Sequence, residues 1–199
     1  MIRRSTRAGA AAILVVLLAS GCRAADVAAS TPSASSSTAP ASAETTAPAS
    51  PPVRLQVPAI GVDSELMALG LQDDGSLEVP PEGFPAGWFT GAPMPGEVGP
   101  AVMAGHVDWN GSPGVFYDLR SLAAGDEITV TRADGTAVVF GVVSVDQFDK
   151  DAFPTDAVYG DLDHPGLRLI TCGGSFDDAE RSYDDNVVVF ADLVGPAPA

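Results

Sequence analysis

The stretch Leu167-Arg168-Leu169-Ile170-Thr171-Cys172-Gly173-Gly174 joins a strongly β-forming run to a thiol and two glycines. Strand alternation puts Arg168, Ile170 and Cys172 on one face and leaves Thr171 on the other. The glycines predict that the strand ends at Cys172 and leave room there for the approach of another backbone. The alternative is a buried and inert cysteine.

The chain has only two cysteines and two histidines. Cys22 falls in an N-terminal export signal, so Cys172 is the only thiol of the folded region. His106 directly follows the apolar run 101–105 and is expected at a second strand end, whereas His164 lies among acids and turn formers and is expected in a solvated loop. One thiol and one imidazole, each at a strand end, favour nucleophilic thiol chemistry.

The region 53–194 is long enough for one hydrophobic core. Its apolar segments are short, rich in Val and Ile, and separated by Gly, Pro and Asp, which favours an all-β barrel or sandwich. Short helices are predicted near 116–122 and 154–158. Strands are predicted at 53–57, 65–71, 77–79, 101–105, 127–132, 137–147, 167–172 and 186–193.

Residues 1–22 resemble the signal peptide of a bacterial lipoprotein. A basic start precedes an uncharged stretch whose apolar block, 13–18, is too short to span a bilayer. The signal ends in Leu18-Ala19-Ser20-Gly21-Cys22, which is similar to a lipobox, where the cysteine becomes the lipid-bearing first residue. Cys22 is therefore the candidate lipidation site, and the alternative is ordinary cleavage near this point with Cys22 incidental.

The segment 23–52 is almost wholly Ala, Ser, Thr and Pro, which predicts a disordered stalk, and 195–199 is expected to be a flexible tail. Loss of residues 1–21 would remove three arginines and no acid, leaving seven basic and 26 acidic side chains, a net charge of about −19. Such a balance argues against nucleic acid as a partner. The expected location is extracytoplasmic, at the cell surface and anchored to the membrane.

The order Gly105-His106-Val107-Asp108, then Leu169 to Gly174, then a closing Asn186-Val187-Val188-Val189-Phe190-Ala191 resembles the sortases, and most closely the class F group of Actinobacteria. The likeness covers nearly the whole block and includes Gly87-Trp88-Phe89. It implies an eight-stranded β-barrel with one or two short helices, with 53–194 as the catalytic domain. It also implies a cysteine transpeptidase or hydrolase.

The resemblance implies that Cys172, His106 and an arginine form the catalytic site. Arg181, in the loop that joins Cys172 to the last strand, is chosen for the arginine. Arg168 is its competitor, although four residues along a strand put it roughly 13 Å away. Thr171 and Gly173 are the expected substrate-binding residues by the same likeness.

The implied partners are secreted proteins with a C-terminal Leu-Pro-x-Thr-Gly-like sorting signal and a cell-wall or surface amine. No cofactor is expected. No zinc spacing occurs, and the acids between two late strands are interpreted as a solvated surface rather than a calcium site. The alternatives are a sortase-like domain that binds peptides without turnover and an L,D-transpeptidase acting on peptidoglycan, although the Ser-His-Gly cluster of that family is missing from the sequence.

Overall fold

Strands dominate the computed structural model, which describes residues 50–197. Within this range three 3-10 turns cover Pro58–Ile60, Leu119–Ser121 and Lys150–Ala152, and the α-helix α1 spans Thr155–Tyr159. The export signal, Cys22 and most of the stalk lie outside the described residues. The strands are β1 (Pro52–Val57), β2 (Val62–Leu69), β3 (Ala86–Phe89), β4 (Gly99–Ala104), β5 (Asp108–Trp109), β6 (Ser112–Pro113), β7 (Glu127–Arg132), β8 (Ala137–Asp149), β9 (Pro165–Asp177) and β10 (Ser182–Pro196).

Eight of these strands close into a barrel, in the order β1-β2-β3-β4-β9-β10-β8-β7. β5 and β6 form a separate two-stranded sheet. Most neighbours are antiparallel, but β2 pairs with β3 and β4 pairs with β9 in parallel. The predicted eight-stranded β-barrel with very few helices is therefore confirmed.

The barrel interior holds the main core, and a smaller apolar cluster covers part of its outside. Leu167 and Leu169 are fully buried in the interior, as strand alternation predicts. Ile170 points to the outer face, where it packs with Val188 and with Val158 of α1. The short helix thus covers the outer face of β9 and β10 just before the position of Cys172.

Several strand predictions differ from the structure. The segment 77–79 is not a strand, because Leu77 makes only an isolated bridge to Leu71. β3 is absent from the prediction because it has four residues and lies among prolines and glycines. Its Gly87 is required by packing: a Cβ there would lie 2.5 Å from Leu69 Cγ. The last strand extends to Pro196, so two residues assigned to the flexible tail pair with β8.

The prediction that the strand ends at Cys172 is wrong, because β9 continues to Asp177. Gly173 pairs with Asp185 and Phe176 pairs with Tyr183, so β9 has one more residue than β10 between these two pairs. Gly174 has φ +80°, which a residue with a side chain adopts at a cost. The two glycines therefore mark a β-bulge beside the thiol and not a strand terminus.

Helical structure is as scarce as expected. The predicted helix at 116–122 is reduced to the 3-10 turn Leu119–Ser121, and the turn predicted at 154–158 is α1. Of the helices in residues 50–197, none combines the length and the apolar character that a membrane span requires.

The bulge glycine yields a test of the fold. Gly174→Ala should destabilise the protein by about 1–2 kcal/mol, because alanine adopts the positive φ of this position at a cost. The new Cβ would also displace the Asp185 side chain, which accepts a hydrogen bond from Gln147, and the loss of that bond should cost about 1 kcal/mol more. Gly135→Ala is the matched control, since Gly135 has φ +83° with nothing within 4 Å of its Cβ position. Urea unfolding of both variants measures the difference, and equal losses would show that Asp185 does not constrain the bulge.

Candidate active site

The parallel pairing of β4 and β9 brings the candidate imidazole and thiol to the same level. Ala104 is the register partner of Ile170, and the Gly105 amide continues the ladder by donating to the Ile170 carbonyl at 3.1 Å. His106 and Cys172 follow two residues later on their respective chains. Neighbouring strands are roughly 4.8 Å apart, so this register brings the two residues to the same end of the barrel.

Backbone and side-chain contacts hold His106 in place just beyond the end of β4. Its carbonyl accepts a hydrogen bond from the Phe116 amide at 2.9 Å. Its Nε2 lies 2.7 Å from the carbonyl oxygen of Pro80, and its ring packs against Trp109 with a centroid distance of 4.8 Å. Because a carbonyl only accepts, Nε2 carries a proton, and Nδ1 is the nitrogen left for proton exchange.

Cys172 is a free, half-buried thiol on the outer face of β9. It lies opposite Asn186 of β10. Burial raises the pKa of the thiol, the Lys150 ammonium opposes that rise, and the Asp108 carboxylate adds to it. The thiol is therefore mostly protonated at neutral pH, and its reactivity depends on the charges around it.

His106 and Cys172 open into one cleft of about 1040 Å³. Its lining combines apolar side chains, including Leu77, Phe89 and Ile170, with polar and charged groups from the β9–β10 hairpin. An open cleft with a largely apolar lining beside a thiol and an imidazole suits a peptide substrate.

The other predicted site residues differ in their relation to this cleft. Arg181 lines it from the tip of the β9–β10 hairpin, where it is exposed and has φ +51°. Thr171 also lines it, and its buried Oγ1 has no hydrogen-bond partner among residues 50–197. Gly173 lies beside the cleft rather than in its wall, and the Cβ it lacks would meet Val187 Cγ2 at 2.7 Å.

Arg168, the competitor for the arginine position, lies outside the cleft wall. Its guanidinium carbon sits 4.7 Å from the centroid of the Phe190 ring, and its Nη1 donates to the Leu167 carbonyl. The side chain shares the outer face with Cys172, as alternation predicts, but it is buried against β10 farther along the strand. The structure brings Arg181 into the cleft and does not bring Arg168 there.

A contact that the sequence did not predict joins the two sides of the cleft. The hydroxyl of Tyr183, on β10, donates to the carboxylate of Asp108, on β5. Both side chains line the cleft, and both are half-buried. The bond ties the segment that follows His106 to the hairpin that follows Cys172.

Acidic side chains concentrate in a neighbouring cavity that shares Lys150, Ser182 and Tyr183 with the cleft. This second cavity, of about 630 Å³, is lined by Asp149, Asp151, Asp177, Glu180, Asp184 and Asp185, among other residues. Among residues 50–197, however, no three Asp, Glu, His or Cys side chains are grouped closely enough to hold a metal ion. This surface gives the hairpin a negative field.

The chain belongs to the sortase family. The family model described as the sortase domain matches residues 55–194, which covers most of the chain and nearly all of the barrel. Sortases are cysteine transpeptidases, so the match supports a sortase-type enzyme. Among curated proteins, none matches this chain.

Solved sortases share the fold at low sequence identity. The lid mutant of sortase A from Corynebacterium diphtheriae superposes with a TM-score of 0.59 at 18% identity, over 78% of this chain and 76% of that one. Sortase C1 from Streptococcus agalactiae gives 0.56 at 18%, over 71% and 66%. A point mutant of sortase C-1 from Streptococcus pneumoniae gives 0.58 at 19%, over 74% and 68%.

The bond between Asp108 and Tyr183 predicts a measurable contribution to stability. Tyr183→Phe should lower the free energy of unfolding by about 1–2 kcal/mol at pH 7, because it removes a donor to a half-buried carboxylate. Tyr117→Phe, at an exposed tyrosine, is the control. Chemical denaturation of the three proteins measures the difference.

The pH dependence of that difference tests its cause. The hydrogen bond to Asp108 raises the pKa of Tyr183 to about 12, above the value of about 10 for an unfolded tyrosine. The contribution is therefore complete below about pH 10 and disappears as the pH rises through about 12. A difference that stays constant over this range would contradict the hydrogen-bond explanation.

Proposed function

We propose that this protein is a class F sortase that cleaves a Leu-Pro-x-Thr-Gly-like sorting signal through a Cys172 thioester and transfers the acyl group to a cell-wall or surface amine. The observation that carries the proposal is the parallel register of β4 and β9, which sets His106 level with Cys172 in one open cleft. The class assignment rests on the sequence motifs around these two residues.

In the first half of the reaction, the Cys172 thiolate attacks the carbonyl carbon of the signal's threonine. A carbon–sulfur bond forms, the Thr–Gly amide carbon–nitrogen bond breaks, and the leaving amine takes a proton from His106. Because Nε2–H is held by the Pro80 carbonyl, Nδ1–H is the proton that His106 can give. In the second half, an amine attacks the thioester, the carbon–sulfur bond breaks, and the incoming amine's proton returns to His106.

Stabilisation of the tetrahedral oxyanion is assigned to Arg181. Arg181 lines the cleft from the exposed end of a hairpin, and a guanidinium offers several donors to one oxygen. A folded hairpin tip at φ +51° is a strained place for an arginine, which fits a functional constraint on that residue.

Thr171 is assigned to substrate binding. Thr171 lines the cleft next to the nucleophile, while strand alternation directs its buried hydroxyl, which lacks a partner among residues 50–197, toward the barrel interior. Its contribution is therefore assigned to the backbone beside Cys172, which can hydrogen-bond an extended peptide. Gly173 contributes through its lack of a side chain, which leaves space for Val187 next to the thiol-bearing strand.

We propose the same chain organisation as the sequence predicts: a lipoprotein-type signal at 1–22, a stalk at 23–52 and a catalytic domain at 53–194. A lipid on Cys22 with a disordered spacer would let the barrel reach substrates that are fixed in the cell wall. This places the enzyme outside the cytoplasm, at the membrane. Family membership favours this function over an L,D-transpeptidase.

Mass spectrometry of the protein with a library of Leu-Pro-x-Thr-Gly-like peptides and an amine tests the activity. A Cys172-linked acyl adduct followed by an amide product is expected. Cys172→Ala should abolish cleavage, His106→Ala should nearly abolish it, and Arg181→Ala should slow it about 10²-fold or more, the usual effect of losing an oxyanion donor.

The outcomes separate the alternatives. Peptide binding without an adduct would show a binding domain and sink the enzyme proposal. An adduct that water alone resolves would show a hydrolase. Normal thioester formation by the Arg181→Ala protein would move the oxyanion role to another group.

The anchor has its own test. In the native host, Cys22→Ser should release the protein from the membrane fraction, because one residue carries the proposed lipid. Immunoblotting of membrane and soluble fractions measures the change, with Cys172→Ser as the matched control. Unchanged membrane retention of the Cys22→Ser protein would reject lipidation at that residue.

A further inference from the structure

Lys150 is the only lysine in the chain, and it lines the same cleft as Cys172. It follows the last residue of β8 and begins a 3-10 turn, which the Asp149 side chain caps by accepting from the Asp151 amide. Arg181 is the other permanently cationic side chain among the cleft-lining residues. The chain has 26 acidic and 10 basic residues, yet two of its basic side chains line the cleft that contains Cys172.

The register of the barrel puts Lys150 on the thiol's side of the sheet. Asn186 of β10 pairs with Cys172 on one side and with Phe148 of β8 on the other. Cross-strand partners share a face, and Phe148 belongs to the same outer cluster as Ile170. Lys150 follows in the turn after β8, two residues beyond Phe148, and lines the cleft that contains Cys172.

A hydrogen bond fixes where the ammonium lies. Lys150 Nζ donates to Ser182 Oγ at 2.8 Å, and Ser182 also lines the cleft. The lysine side chain thus extends from the end of β8 to Ser182, the first residue of β10 after the hairpin tip. Its hydrogen-bond partner is a neutral hydroxyl rather than a carboxylate. Lys150 also lines the neighbouring acidic cavity, so its positive charge acts on the cleft against the field of those carboxylates.

The charges that surround the thiol come from every segment around the cleft. His106 and Asp108 lie on the segment after β4, Tyr159 lies on α1, Arg181 and Tyr183 lie on the hairpin, and Lys150 follows β8. Burial and the Asp108 carboxylate raise the pKa of the Cys172 thiol, and the Lys150 ammonium is the cation that lowers it. Arg181 is exposed at the hairpin tip and is not among the causes of the shift.

We propose that Lys150 is the electrostatic partner of Cys172, which stabilises its thiolate, while Arg181 serves the substrate oxyanion. The two cationic tasks of the site are then divided between two residues in different segments, the turn after β8 and the tip of the β9–β10 hairpin. The importance of the Lys150 charge for turnover rests on the proposed function, but its effect on the thiol does not.

The rate of Cys172 alkylation by iodoacetamide, measured against pH, tests this division. The full chain with Cys22→Ser leaves Cys172 as its only thiol. In this background, Lys150→Met should slow alkylation at pH 7.5 about threefold or more and move the profile to higher pH, because a nearby opposite charge favours the ionised form. Lys150→Arg should restore the profile, and Arg181→Gln should leave it near that of the parent protein.

Circular dichroism of each variant confirms that the fold is intact before rates are compared. Parent-like alkylation by the Lys150→Met protein overturns the proposal. So does an equal slowing by Lys150→Met and Arg181→Gln, since that would show a diffuse effect of hairpin charge. Because alkylation needs no peptide, a failure of the transpeptidase proposal would appear as a missing acyl adduct with the Lys150 effect intact.

Discussion

The parallel pairing of β4 with β9 is the constraint on which the site depends. Ala104 is level with Ile170, and both strands are buried on the two sides of the barrel wall. A shift of one residue would turn Leu169 out of the interior and the thiol into it. The packing that fixes the barrel core therefore also fixes which residues stand beside Cys172.

Several groups in the site are each unfavourable, either for the stability of the fold or for ionisation of the thiol. A half-buried thiol resists ionisation, a buried Thr171 hydroxyl lacks a partner within residues 50–197, and the carboxylate of Asp108 is close enough to disfavour a thiolate. Tyr183 engages that carboxylate by hydrogen bonding, and the ammonium of Lys150 offsets its charge at the thiol. Stability and reactivity are thus balanced across four segments that are distant in the sequence.

The barrel could be predicted because its signals are local: short β-branched runs, turn glycines and alternation, which correctly set Leu169 inside and Ile170 outside. β3 could not, since four residues around Gly87 have no period to detect. The glycines after Cys172 predict a strand end when they are considered alone, because a β-bulge needs a partner strand to define it. Lys150 and the Asp108–Tyr183 bond could not be predicted for the same reason: they meet only through long-range register.

The β9–β10 hairpin concentrates this long-range dependence. It carries the bulge at Gly174, the guanidinium of Arg181, the hydroxyl that holds Lys150 and the phenol that binds Asp108. A hairpin position is set by strand register, and here the bulge adds twist between the thiol and the tip. The conformation of the hairpin therefore sets the positions of Arg181 and of the Lys150 ammonium. It also sets the position of Tyr183, which binds Asp108 in the segment after His106.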